Sequence, residues 1–417
     1  MLPAFIRAPV SAQDKPGGII DFIKADLERH ASFGDKFSGG PGDIATADWI
    51  AGRLQDSGFS IEKSYFDSPF FIKNNSSLHT LNRTTEVVAQ APVVVTGKGG
   101  VNGRLVLIEK DEDITDISGN IALILTPYDR HAALFPERGV GKSVNSAVAA
   151  GAVAVIVVTR GPSNEAVALN SPENPFVPVP MAVLAPRAAG PVIDAARSGK
   201  PARLIIDGEA THRPCMNITG RVDRGDHWLV FSTPRSGWYN CVAERGTGTA
   251  VFLQLADWAV RRFPDLSIFV MNTGGHEYFF AGSHHVLDKA PPADKTLVWA
   301  HIGATLAARD AVERNGKLEM LDTADPGRSL MATDPAMTAA RAGFRGLSGL
   351  SEPGMVRSKA GELSTFTDRG YRTAFAVIGM HHWFHTVEDT LDRVDAGLLL
   401  PVLQAHQRTI ELIVSGV

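Results

Sequence analysis

One stretch limits the fold more than any other: Leu266-Ser267-Ile268-Phe269-Val270, running through Met271-Asn272-Thr273 into Gly274-Gly275-His276-Glu277. The short apolar run after Pro264 reads as a buried parallel strand. Gly274-Gly275 breaks it and turns the backbone. His276 and Glu277 then fall at the carboxyl end of a central strand, where open α/β sheets place their ligands. An imidazole beside a carboxylate there offers a proton shuttle next to a metal ligand. Two polar residues that merely cap a strand are the competing reading.

Strands and helices alternate on either side. Residues 18–31 have helical spacing, with Ile20, Ile23 and Leu27 on one face. A second helix is expected from Asp43, with Asp43 as its N-cap, ended by Gly58 and followed by a strand at Phe59–Glu62. Between residues 85 and 210 the chain turns β-rich: Val87–Val95, Leu105–Ile108, Ile121–Leu125, Val153–Thr159 and Ala202–Ile206 are short apolar runs, with a small-residue helix at Gly139–Ala152. His227–Ser232, Thr296–Ala300 and Arg372–Ile378 are further strands, and helices are expected from Gly246 to Arg262 and from about Ala396. Residues 326–362 are Gly-rich and resist ordering. The pattern predicts an α/β protein with a doubly wound, mostly parallel sheet. Residues 1–84 and 211–417 form its catalytic domain, and 85–210 form an inserted β-rich domain.

The 417 residues leave room for two domains, and 44% apolar content supplies a core. A net charge of −4 advertises no polyanion-binding surface, so nucleic acid is not an expected partner. Two cysteines, Cys215 and Cys241, imply no disulfide framework. Met1–Val10 lacks a signal-peptide layout, and no run of ~18 apolar residues occurs, so a cytoplasmic protein without a membrane partner is expected. A homodimer stays open.

Three motifs in order carry a resemblance. Glu244-Arg245-Gly246-Thr247-Gly248 resembles an Asp-Asn-Gly-Ser-Gly turn, His276-Glu277…Gly282-Ser283 a Glu-Glu…Gly-Ser segment, and His385-Thr386…Asp389-Thr390 a His-Thr…Asp-Thr segment. Together they resemble the zinc aminopeptidase family that also contains the glutaminyl cyclases, with residues 85–210 similar to the protease-associated domain that members carry. The resemblance implies metal ligands at Glu244, Glu277 and His385. It also exposes departures. Ser232-Thr233-Pro234 stands where dinuclear members have His-x-Asp, Glu244 replaces the bridging Asp, and His276 replaces the general-base Glu. One divalent cation, zinc or manganese, is therefore expected instead of two.

His276 is the expected proton acceptor. His301 either orients substrate or water or is a satisfied strand-end histidine. Arg235, Arg245 and Arg369 are candidate anchors for a substrate carboxylate, each weighed against an ordinary surface arginine. Trp238, Tyr239, Phe279 and Trp383 could wall a flat slot or simply fill core. Of His381 and His382, at least one is expected to be a solvent-facing loop histidine. Among divergent members of this fold the edited pattern resembles aromatic-amine hydrolases, and that resemblance implies a metal-dependent hydrolase acting on a small aromatic substrate. The expected reaction is hydrolytic deamination of an aromatic amine, 5-nitroanthranilate to 5-nitrosalicylate plus ammonia. A metallo-aminopeptidase or cyclase with an altered metal site is the alternative.

Overall fold

The computed structural model describes residues 16–81, 83–110, 114–130, 133–356 and 361–416. The amino-terminal stretch Met1–Val10 read above lies outside them. One continuous sheet runs through the molecule. One half of it orders the strands Arg328–Ala332, Ala374–Gly379, Thr296–Ile302, Trp228–Pro234 and Ser267–Thr273. From Ala374–Gly379 to Ser267–Thr273 all neighbours are parallel, and Arg328–Ala332 pairs antiparallel. These runs are buried along nearly their whole length, which is why they read as unbroken apolar segments and not as alternating ones.

The helices Pro16–Ser32, Pro41–Asp56, Thr247–Arg262, Asp334–Gly343 and Ala396–Ser415 accompany this half. Ile23, Ile50, Val251, Leu255 and Leu399 pack with Phe231, Val270 and Phe375 of the strands in one core, all without measurable exposure. The second helix starts earlier than expected, with Pro41 in its first turn and Gly40 as N-cap. Asp43 is not the cap. Its Oδ2 accepts the Gly39 amide at 2.9 Å, while Oδ1 accepts Arg235 Nε at 2.7 Å.

Two strands reach far beyond their expected lengths. Ser60–Thr80 and Pro201–Val222 pair antiparallel, with Ser60 opposite Arg221 at one end and Thr80 opposite Ala202 at the other. Pro201–Val222 borders Ser267–Thr273 near its end and Val101–Ile108 near its start. The ribbon therefore joins this half of the sheet to a second lobe, whose strands Val101–Ile108, Ile121–Thr126, Ala154–Thr159 and Met181–Leu184 are parallel. That lobe has apolar clusters of its own around Leu123, Ile156 and Leu204, and around Ile124, Val155 and Val183. Of Val87–Val95 only Val88–Ala89 forms a strand, and Pro92, which has no N–H to donate, does not extend the ladder. Among the described residues no helix is long and apolar enough to cross a membrane.

Candidate metal centre

The parallel strands Ala374–Gly379, Thr296–Ile302, Trp228–Pro234 and Ser267–Thr273 end on one edge, so the loops that follow them converge. After Trp228–Pro234 the chain winds through a π-helical turn, Val242–Gly246, before the Thr247–Arg262 helix. Glu244 and Arg245 lie in this turn and are buried. Asp389 fixes it from the last motif: its carboxylate accepts the amides of Ala243 at 2.6 Å and Glu244 at 3.1 Å. After Ser267–Thr273, Gly275 takes φ +67°, and a Cβ there would stand 2.7 Å from the Phe66 ring. Glycine at this turn lets His276 and Glu277 follow the strand directly.

Glu244 and His385 meet, Glu277 approaches the same space across Arg245, and all three are almost inaccessible. Glu244 Oε1 lies 3.2 Å from His385 Nε2. Glu277 Oε2 accepts the hydroxyls of Ser38 at 2.8 Å and Ser236 at 2.7 Å. His385 Nδ1 faces the Ala168 carbonyl at 2.9 Å, which can only accept, so Nδ1 carries a proton and Nε2, 3.2 Å from Glu244 Oε1, is the nitrogen left for a cation. Both Glu244 oxygens, Glu277 Oε1 and His385 Nε2 are buried without a hydrogen-bond partner. Orphaned buried acceptors of this kind are costly unless something electropositive meets them. Two carboxylates and an imidazole are a donor set that suits a divalent first-row cation.

Arg245 shares this space. Its Nη2 is 2.7 Å from Glu244 Oε1 and 3.7 Å from Glu277 Oε1. The first contact pairs opposite charges without hydrogen-bond alignment, so Nη1 and Nη2 both remain without a directed partner. Burial acts to raise the Glu244 pKa, but the charges of Arg245 and His385 outweigh it and hold the group at about 2.

A second cluster flanks the first. The Glu362 carboxylate lies 2.9 Å from His276 Nδ1 and 3.5 Å from His301 Nε2, and it also accepts the Ser283 hydroxyl. Burial would raise its pKa, yet His276, His301 and Ser283 together bring it to about 2. An ionised carboxylate only accepts, so His276 carries its proton on Nδ1 and turns Nε2 outward as a base. His301 is neutral, its pKa lowered to about 4 chiefly by burial. Its Nδ1 lies 2.8 Å from the hydroxyl of Ser232, which in turn accepts the Trp299 indole N–H at 2.7 Å. Phe279 and Phe280, with φ of +47° and +68°, hold strained left-handed backbone beside His276. The Phe280 ring meets the His276 ring edge-on at 4.9 Å.

Several expectations are corrected. Arg235 offers substrate nothing: it is fully buried, and Asp43, Asn272 and the Met216 carbonyl take its donors. Arg369 is exposed and paired with Asp288 at 2.7 Å. Trp383 is only 2% exposed, with the Arg393 guanidinium over its ring, so it packs and does not line an open slot. Neither His381 nor His382 is a solvent-facing loop histidine. His381 is buried 3.2 Å from Asp389, and His382 is partly buried 3.4 Å from Asp310.

Glu362 escaped the sequence reading because it lies in the Gly-rich stretch without periodicity, and it meets His276 across 86 positions of chain. The sequence signal was a lone acid immediately before the short helix Leu363–Thr367, which buries Leu363 and Phe366. Asp310, Asp325 and His382 were also missed. Among the described residues they are the one group of three metal-ligand side chains whose ligand atoms all lie within 4.8 Å of one another. Glu244, Glu277 and His385 are more open than that. Arg130 already supplies a cation to the Asp310 group, with Nη1 2.9 and 3.0 Å from the two Asp325 oxygens.

No family model matches the chain, and no curated protein matches it in sequence. Solved structures do match. BSAP, a zinc aminopeptidase from Bacillus subtilis, superposes with a TM-score of 0.70 at 16% identity over 94% of each chain. The fold is that of the zinc aminopeptidases. An aminopeptidase from Aneurinibacillus sp. strain AM-1 matches with a TM-score of 0.68 at 16% identity, covering 94% of this chain and 93% of that one. A peptidase M28 precursor from Shewanella amazonensis SB2B matches with 0.69 at 16%, covering 94% and 97%. This aminopeptidase fold places the motif-bearing loops at the carboxyl ends of the parallel strands, as in open α/β sheets generally.

Proposed function

We propose that the protein is a metal-dependent hydrolase that uses one divalent cation, zinc or manganese, held by Glu244, Glu277 and His385. The observation that carries this reading is the set of four buried acceptor atoms on those three side chains that lack a directed hydrogen bond. When bound, the cation supplies Lewis acidity and makes water ionisable near neutral pH. Two carboxylates and Arg245 leave one negative charge, so a divalent cation brings the centre to a single positive charge that an anionic substrate neutralises.

His276 Nε2 accepts the proton of the attacking water, and Glu362 stabilises the imidazolium that forms. The same proton then goes to the departing nitrogen. Arg245, with two η nitrogens lacking directed partners, is suited to a substrate carboxylate. His276 is the partly exposed member of an otherwise closed centre, and the Phe280 ring set edge-on to it favours a flat substrate over an extended peptide.

The reading is therefore hydrolytic deamination of an aromatic amine bearing a carboxylate. In the 5-nitroanthranilate case, water adds to the carbon bearing the amine, the ring holds the negative charge with help from the nitro group, and ammonia leaves to give 5-nitrosalicylate. Residues 85–210 belong to this reading as an inserted protease-associated-type domain. A metallo-aminopeptidase with an altered site is the second reading, favoured by the fold. Purified protein should release ammonia from 5-nitroanthranilate with about one metal ion per chain by elemental analysis. Cleavage of aminoacyl anilides with no ammonia from the aromatic amine would decide for the second reading, and two tightly held ions would defeat the single-cation scheme.

A further inference from the structure

We infer that the second lobe is a working part of the metal centre, with Ala168 as the positioning residue for His385. The inference rests on reading His385 as a metal ligand.

Ala168 grips His385 at two points. Its carbonyl faces His385 Nδ1 at 2.9 Å, and its amide donates to the His385 carbonyl at 2.9 Å. His385 has φ +59°, a left-handed conformation that a histidine keeps only where its surroundings over-determine it. The double contact supplies that determination. It also keeps a proton on Nδ1, since a carbonyl cannot donate, and so directs Nε2 at Glu244. Three residues on, the Ser171 amide donates to the Glu277 carbonyl at 3.0 Å. Asn170 Oδ1 accepts the Trp238 indole at 2.8 Å. Two of the three candidate ligands are thus held by one strip of the second lobe.

The strip is itself tied down from within that lobe. Gln90 Nε2 donates to the Leu169 carbonyl at 2.8 Å, Thr159 Oγ1 accepts the Val167 amide at 2.9 Å, and the Leu134 amide donates to the Asn170 carbonyl at 2.7 Å. Val167 and Leu169 line a cavity of about 890 Å³ in the lobe, while Ala168 between them faces the centre. Placement of the lobe therefore sets the geometry of the ligand, and the strip is the part through which it does so.

The test is nitrogen-15 NMR of histidine-labelled, metal-free full-length protein, with His385 assigned by the loss of its signals in His385→Gln. The wild type should show the Nδ1-protonated tautomer. Gln90→Met and Asn170→Ala loosen the strip without touching the centre. Both should give a tautomer mixture and weaken zinc binding by roughly tenfold or more in a chelator competition. A wild-type His385 without a proton on Nδ1 overturns the inference, as do two folded variants that keep both the Nδ1 protonation and the zinc affinity. A wild type that binds no zinc yet holds the Nδ1-protonated form sinks the metal reading and leaves the lobe's grip on His385 supported.

Discussion

Replacing Glu362 with glutamine tests the acid–base half of the site without touching the proposed ligands. The folded carboxyl has its pKa lowered from 4.5 to about 2, although burial, the largest single influence, acts to raise it. A folded-state value below the unfolded one means that the unfolded chain takes up the proton first as pH falls. The stabilisation is therefore fully present above about pH 5 and is lost as pH falls towards 2. At ~1.4 kcal/mol per pKa unit, that difference corresponds to about 3 kcal/mol. Glu362→Gln should be less stable than wild type at pH 7 by an amount of this order, and the two should converge on acidification. Denaturant midpoints measured from pH 7 down to pH 3 read this directly. His276 also loses a charge-assisted partner worth ~1.5–3 kcal/mol, so turnover should fall about 10- to 100-fold with metal content unchanged. Stability curves that run parallel across the whole pH range, or a variant with wild-type turnover, would refute the account of Glu362.

Other perturbations have equally definite outcomes. Glu277→Gln keeps the shape of the side chain that meets Ser38 and Ser236 but removes its charge, so zinc affinity in a chelator competition should drop at least tenfold while the melting temperature stays close to wild type. Asp43→Ala strands the fully buried Arg235 and should cost about 3–5 kcal/mol in chemical denaturation. Gly282→Ala would put a Cβ 2.1 Å from the Gly274 carbonyl and 2.7 Å from Asn217 Oδ1. It should cost at least about 1–3 kcal/mol and lower metal content together with stability, because the loop that carries Glu277 must move.

The strand ends were legible because strands buried on both faces announce themselves as apolar runs, and glycines mark where they stop. Ser267–Thr273 and Ala374–Gly379 follow that rule. The ribbon strand Ser60–Thr80 does not: its Lys73-Asn74-Asn75 segment is exposed on both faces, so polarity hid its continuity. The candidate site was legible where side-chain type and a strand end coincide, as at His276-Glu277. It was illegible where a role depends on what lies across the fold. Arg235 and Arg245 look alike in sequence. One is consumed by Asp43, Asn272 and a carbonyl, while the other is left with two η nitrogens lacking directed partners beside the acids. Ala168 has no functional group outside its backbone, so no reading of side chains could have found it.

The pairing of Thr80 with Ala202 has a consequence for how such a chain could arise and be re-engineered. Opposed residues in an antiparallel ladder are about 5 Å apart. The polypeptide thus leaves the catalytic body and re-enters it through a single narrow doorway. Material of almost any length can be spliced in there without disturbing the register below, and a two-residue reverse turn could close the gap if it were cut out. A chain trimmed in this way should still build the parent sheet, but it would have lost the carbonyl that steadies His385.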